Sequence, residues 1–293
     1  MRISSNKLKD IIDFAFQELE SLYEKNEIRT MIYSIIEHFT DFNLTKILTL
    51  KDELRVSESE LLKINFAIKD LKKEKPLQQI LGYCDFLDVR INLNKQVLIP
   101  RVETEEIAQR IILENKGKKN LKIADICCGS GCIALALKKA FPDAEVFAFD
   151  ISNDALSQTQ ENANLNDLEI NIQKADVLKG IDSSNTFDII VSNPPYVRES
   201  EKKLMKNNVL LYEPHLALFV SDENPLIFYE HILEFCNTNL NPNGSVYLEI
   251  NEFLAKETSN LYQKHNFETS VFEDIRNKER LIIAKKRDKN LSD

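Results

Sequence analysis

From residue 121 onward, short apolar runs alternate with stretches of helical character, and few folds accommodate that alternation. The runs are Lys122–Ile126, Glu145–Phe149, a weaker Glu169–Gln173, Phe187–Ser192 and Ser245–Ile250. Phe267–Asp274 and Glu279–Lys285 suggest a terminal pair. A run such as Ile189-Ile190-Val191 has no polar alternation, as expected of a strand covered on both faces. The pattern predicts an α/β fold: a doubly wound, mostly parallel sheet with helices on both sides. Such sheets bind ligands beyond the carboxyl ends of their strands, so the residues that follow each run carry the functional argument.

Residues 1–75 read differently. Ile28, Ile32, Ile35, Ile36 and Phe39 recur at helical spacing, and so do Leu8, Ile11, Ile12 and Leu19. Ser57 and Glu60 form an expected capping box ahead of Leu61, Leu62, Ile64, Ile68 and Leu71. No Gly or Pro precedes Pro76. A small helical domain is predicted, either a structural cap or a partner-docking module. Pro76 and Gly82 then punctuate the chain. Residues 76–100 are expected to form a linking hairpin, Phe86–Leu93 turning at Asn94-Lys95 into Gln96–Ile99, and residues 101–293 the α/β domain.

The net charge is −9. Residues 1–75 hold 13 Lys and Arg against 14 Asp and Glu, so nearly all the excess acid lies in the α/β part. Duplex binding usually needs a basic field, so a nucleic-acid substrate is not expected. Cys84, Cys127, Cys128, Cys132 and Cys236 are odd in number, with three of them clustered, unlike a disulfide framework. They also lack Cys-x-x-Cys spacing, and no metal site is expected. The stretch MRISSNKLKD has no apolar leader core, and no run reaches membrane-spanning length. A cytoplasmic protein is expected.

Four motifs follow the runs. Asp125-Ile-Cys-Cys-Gly-Ser-Gly131 leaves the first run and opens a helix, a place suited to an anionic or carboxylate group. Gly129-Ser-Gly131 with Ala134 also resembles a dinucleotide fingerprint, so the loop alone does not exclude NAD. Asp125 favours S-adenosylmethionine, whose amino-acid end is positive. Asp150 ends the second run and suits two ribose hydroxyls, against the plainer reading of a helix cap. Asp176-Val177 follows the third run, where an adenine would lie, or where an Asp simply caps a turn.

The fourth motif, Asn193-Pro194-Pro195-Tyr196, discriminates. Two prolines offer no N–H and prevent pairing, which leaves a stiff rim of acceptors. The Asn193 side-chain oxygen and the Pro194 carbonyl can each take one hydrogen of an NH2 group, and Tyr196 can cover its plane. Such a rim selects a planar, uncharged nitrogen and presents it to a methyl donor.

Asn-Pro-Pro-Tyr resembles motif IV of methyltransferases that act on exocyclic or amide nitrogens. Leu98-Ile-Pro-Arg-Val-Glu-Thr-Glu105, Pro76-Leu-Gln-Gln-Ile-Leu-Gly82 and Glu213-Pro-His-Leu-Ala-Leu218 are similar to segments of HemK-type protein-(glutamine-N5) methyltransferases. The likeness runs from about Pro76 to the C-terminus. It implies a helical substrate-recognition domain, a hairpin, and a class I, Rossmann-like, seven-stranded methyltransferase domain. It implies S-adenosylmethionine as donor and the glutamine of the Gly-Gly-Gln motif of peptide chain release factors as substrate; separately, a monomer is expected. Donor contacts are implied for Asp125, Cys127, Cys128, Gly129, Ser130, Gly131, Asp150, Ile151, Asp176, Val177 and Asn193. A substrate clamp is implied for Asn193, Pro194, Pro195 and Tyr196, with Asn193, Pro194 and Tyr196 catalytic. Four positions depart from the family pattern. Cys127 replaces a glycine, Val102 a proline and Gln79 a tyrosine, and Val177 stands where an aromatic residue is frequent. Another protein glutamine, such as one on a ribosomal protein, a nucleic-acid base, or a non-catalytic binding role remain as alternatives.

Overall fold

A computed structural model describes residues 5–287, so residues 1–4 of the leader reading and 288–293 of the last expected domain lie outside the described residues. The chain forms two compact units.

The first unit comprises the described residues up to Gly82, together with 206–212. Its helices are α1 (Leu8–Leu19), α2 (Lys25–Phe39), α3 (Leu44–Leu50), α4 (Glu58–Leu71) and the short α5 (Leu77–Leu81). Leu8, Ile11, Leu19, Ile28, Ile32, Ile35, Ile36 and Ile64 are fully buried in one cluster, as their helical spacing requires. The capping box is present: Ser57 Oγ accepts from Glu60 N–H, and Glu60 accepts from Ser57 N–H. Residues 206–212 were not expected here. They join through Asn207 on Glu74, through the Tyr212 hydroxyl on the Lys73 carbonyl, and through Gln79 Nε2 on the Tyr212 carbonyl at 2.9 Å. Gln79 thus has its own partner where a tyrosine is usual.

The second unit begins with the hairpin β1 (Tyr83–Phe86) and β2 (Val89–Asn92), then α6 (Val102–Glu114). The core alternation follows: β3 (Lys122–Ile126), α7 (Cys132–Ala140), β4 (Glu145–Asp150), α8 (Asn153–Leu165), β5 (Asn171–Lys174) and β6 (Phe187–Ser192). After a short β7 (Val197–Arg198) the chain leaves as α9 (Asn207–Tyr212) in the helical unit. It returns through β8 (Phe219–Val220), α10 (Ile227–Asn239), β9 (Leu240–Glu249), α11 (Ala255–Lys264), β10 (Phe267–Glu273) and β11 (Glu279–Lys286).

The large sheet has seven strands in the order β10-β11-β9-β6-β3-β4-β5. β3, β4, β5, β6 and β9 run parallel, and β11 is antiparallel to both its neighbours. The chain winds from β3 outward to β5, then crosses to β6 on the other side of β3. That reversal opens a crevice beyond β3, β4 and β6. Two apolar layers cover the sheet. Ile123, Ile133, Leu135, Val146 and Ile189 lie on one side, and Phe149, Phe187, Ile190, Tyr229 and Phe235 on the other.

The linker differs from expectation. The hairpin turns at Leu87-Asp88, not at Asn94-Lys95, and Gln96–Ile99 is not a strand. Leu87 takes a positive φ of 48°, and its N–H donates to Glu105 at 2.9 Å. Val97 and Ile99 are buried, as their alternation suggested, but Ile99 N–H donates to Glu213 rather than to a neighbouring strand. The hairpin belongs with the α/β unit. β5 starts two residues later than expected, and β9 begins at Leu240, with residues 241–244 looped out of register.

Candidate active site

The crevice at the reversal point is an open cleft. β3 delivers the loop that forms one wall. Asp125 and Ile126 close the strand's buried run, and Cys127 adopts φ 62°, so a side chain occupies a left-handed turn where glycine is usual. Cys128 N–H donates to the Phe149 carbonyl on β4, and Gly131 N–H to the Cys128 carbonyl. Gly131, at φ 79°, caps α7, and a Cβ there would lie 2.7 Å from Thr159 Cγ2. Only glycine meets both demands.

Helix α8 braces this loop with polar rather than apolar groups. Thr159 donates to the Gly129 carbonyl at 3.2 Å, and Asn162 Nδ2 to the Ser130 carbonyl at 2.9 Å. Both side chains are fully buried. Gln158 Oε1 accepts from Asn94 and Lys95 N–H, holding the segment after the hairpin to the same helix.

Asp150 ends β4. Its oxygens accept from Gly129 N–H and Ser152 N–H, each at 2.9 Å. A carboxylate offers about four acceptor positions, so each oxygen keeps capacity toward the cleft. Burial pushes this carboxyl up, and the backbone donors oppose the shift. Ile151, Ser152, Val177 and Leu178 line the adjoining wall. Asp176, also on the wall, accepts from Leu178 N–H and pairs with Lys179.

Beyond β6, Asn193 and Pro195 reach the cleft. Asn193 Nδ2 donates to Thr104 Oγ1 at 3.2 Å. Thr104, in the first turn of α6, donates to Glu249 Oε2 at 2.6 Å. The Tyr196 hydroxyl donates to Glu249 Oε1 at 2.9 Å, and Asn251 Nδ2 donates to the Tyr196 carbonyl. Glu249, at the end of β9, is fully buried.

The cleft therefore gathers ten of the expected residues: Cys127, Cys128, Gly129, Ser130, Asp150, Ile151, Asp176, Val177, Asn193 and Pro195. Gly131, Pro194 and Tyr196 are not on its walls; Pro194 is buried behind the rim and Tyr196 is half-buried. Asp125 is placed apart from these ten residues. It was expected to face the positive end of a donor, yet it is fully buried and off the wall. One oxygen accepts from Ala134 N–H at 3.1 Å and the other has no partner. Burial pushes its carboxyl up to about 8, with the Ala134 bond opposing and Asp150 adding to the rise.

That burial has a measurable consequence. The folded chain holds a proton on Asp125 that the unfolded chain releases at ordinary acidic pH. Stability must then fall as pH rises toward about 8, by at most about 1.4 kcal/mol per pH unit. Asp125→Asn keeps an acceptor for Ala134 and removes the acid. Its melting temperature is expected to gain on the wild type steadily between pH 5 and 8; a pH-independent difference would refute this origin.

Two segments similar to family signatures acquire roles. Leu98, Ile99, Pro100 and Arg101 line the cleft, and so do Pro214, Leu216 and Ala217. Arg101 pairs with Glu213, whose second oxygen accepts from Ile99 N–H at 3.1 Å. The buried Glu213 thereby ties the two segments into one wall.

The walls fit S-adenosylmethionine. A tight loop with a cleft-facing backbone, a carboxylate at the next strand end and an apolar slot at Val177 and Leu178 match its amino-acid, ribose and adenine parts. The family model described as methyltransferase small domain matches residues 104–218. A release factor glutamine methyltransferase of Flavobacterium psychrophilum is 45% identical over 270 residues, covering 91% of this chain and 94% of the relative. One from Bacteroides thetaiotaomicron is 37% identical, covering 92% and 96%. A methyltransferase structure from Pyrococcus furiosus has a TM-score of 0.50 at 18% identity, covering 78% of this chain and 98% of that one, and shares the fold. With the cleft, the rim beyond β6 and this likeness over nearly the whole length, the chain belongs to the release factor glutamine methyltransferase family, whose methyl donor is S-adenosylmethionine.

Proposed function

We propose that this enzyme methylates the side-chain amide nitrogen of a glutamine, the one in the Gly-Gly-Gln motif of a peptide chain release factor. The observation that carries the reading is the orientation of Asn193. With Nδ2 committed to Thr104, its Oδ1 is the acceptor left for the cleft that Asp150 and the loop after β3 also line.

An amide nitrogen is a weak nucleophile because its lone pair is delocalised. S-adenosylmethionine supplies an already activated methyl group. The protein's task is then to position the nitrogen, and good orientation can contribute on the order of 7–11 kcal/mol. Asn193 Oδ1 would take one N–H bond of the glutamine. That draws electron density onto the nitrogen. Tyr196, fixed through its hydroxyl, would support the amide plane from behind the rim.

The helical unit is read as the docking module for the protein substrate. Leu62 and Phe66 lie one turn apart on α4 and are 54% and 56% exposed, an apolar pair facing outward. No helix among the described residues is long and apolar enough to cross a membrane. A release factor substrate implies a cytoplasmic enzyme.

The test is incubation with donor and either an intact release factor, a Gly-Gly-Gln peptide, ribosomal proteins, RNA or DNA. A mass gain of one methylene on the motif glutamine is expected, with the intact factor showing a lower KM than the peptide. Methylation of a base, or of a ribosomal protein alone, would overturn the substrate assignment. Equal KM values for factor and peptide would remove the docking role.

A further inference from the structure

We propose that Glu249, through Thr104, is the positioning residue that dictates which way the Asn193 amide faces, and that the same carboxylate holds Tyr196 in register with it. The proposal rests on the substrate reading above and adds two residues outside the Asn-Pro-Pro-Tyr segment, Thr104 on the cleft wall and Glu249 behind it.

The argument is one of hydrogen-bond direction. Asparagine is nearly symmetric in shape, so its pocket does not by its outline distinguish oxygen from NH2. Only the polarity of the partners does. A carboxylate has acceptors and no donor. Glu249 Oε2 therefore commits the single proton of Thr104, 2.6 Å away. Thr104 Oγ1 is left with lone pairs, and these meet Asn193 Nδ2 at 3.2 Å. A flipped Asn193 would set oxygen against oxygen there. Flipping would also present NH2 to the glutamine's own NH2, donor against donor. The carboxylate thus sets the polarity of an atom two hydrogen bonds away.

The second oxygen of Glu249 accepts from the Tyr196 hydroxyl at 2.9 Å. Both ends of the four-residue clamp consequently hang from one buried group on β9, far in sequence from either. Burial pushes the Glu249 carboxyl up, while the Thr104 and Tyr196 hydroxyls and the neighbouring Arg280 guanidinium oppose the rise. Arg280 is itself anchored, Nη1 donating to the Ile250 carbonyl at 3.0 Å, with its guanidinium carbon 6.0 Å from the centre of the Tyr196 ring. Charge-assisted hydrogen bonds of this kind are short and directional, which suits a frame that must hold one amide orientation.

The experiment uses the full chain, an intact release factor and S-adenosylmethionine, with kcat, KM, donor Kd by calorimetry and Tm measured for each variant. Thr104→Val keeps shape and removes the relay. A fall in kcat of roughly 10–100-fold is expected, with donor Kd within about threefold of wild type. Thr104→Ser restores the hydroxyl and is expected within about threefold of wild-type kcat. Glu249→Gln puts an NH2 against one of two hydroxyls and is expected to lower kcat similarly. The double variant of Thr104→Val with Glu249→Gln should be little worse than the worse single variant, because both break one chain. Full activity in Thr104→Val, equal losses in Thr104→Ser and Thr104→Val, or donor Kd rising as much as kcat falls would each overturn the proposal. If Glu249→Gln does not fold, the Thr104 pair decides alone. A wild-type enzyme inactive on the release factor is a different failure: it sinks the substrate reading, and this proposal with it.

Discussion

Asn193→Ala is expected to lower kcat roughly 10²–10³-fold, the usual cost of deleting one preorganised partner of developing charge. Donor affinity should stay within a few fold. As the methyl group arrives, the glutamine nitrogen gains positive character, so its N–H bonds become stronger donors. An acceptor oxygen aimed at one of them is worth more in the transition state than in the ground state. Asn193 Oδ1 is that acceptor, because the other end of its amide is held by Thr104. The loop after β3 and Asp150 keep their own hydrogen bonds in this variant, for neither leans on Asn193. KM for the release factor should change little, since most docking area lies away from one amide. Asn193→Asp is a sharper version. It preserves an acceptor but sets a second oxygen against Thr104, whose proton is already directed to Glu249. It should therefore be nearly as impaired as alanine. Donor Kd rising as much as kcat falls would remove Asn193 from the chemical step.

The strands were legible because burial on both faces of a parallel sheet leaves an unbroken apolar signature, as in Ile189-Ile190-Val191. The residues after those strands were legible for the same reason: the fold fixes where ligands bind, so Asp150 and Asn193 stood out by position. What failed was whatever depended on a distant partner. Gln96–Ile99 alternates like a strand, and its buried residues are real, yet its backbone is bonded to the Glu213 carboxylate more than a hundred residues away. The turn at Leu87 needs a positive φ from a residue that disfavours it, and Glu105 supplies the compensating bond. Asp125 carried the right residue type in the right place, but its side chain turned inward to the start of α7. Glu249 gave no signal at all, being one acid at the end of an apolar strand. Its meaning appears only when α6, β6 and β9 bring Thr104, Asn193 and Tyr196 around it.

Asp150→Ala is expected to produce the complementary defect: donor affinity weakened roughly 10²-fold or more, with kcat at saturating donor within several fold of wild type. A hydrogen bond to a charged group contributes about 1.5–3 kcal/mol, and two ribose hydroxyls on one carboxylate sum to at least the stated loss. The same oxygens receive Gly129 and Ser152 N–H, so the loop after β3 also loosens, which adds to the loss. Global stability should suffer far less than affinity. Burial already disfavours this charge, and removing it relieves that penalty while two backbone donors near the cleft can turn to water. Asp150→Asn should fall between, because its one oxygen can serve only one of the two backbone donors and its NH2 faces the other. Calorimetric titration with S-adenosylmethionine checks the first claim, and single-turnover rates at saturating donor check the second. Because Asp150 acts on donor binding and Asn193 on the transferred group, their effects on kcat/KM should add in the double variant. Strong non-additivity would mean that the two walls of the cleft share a load that their separate hydrogen-bond networks do not show.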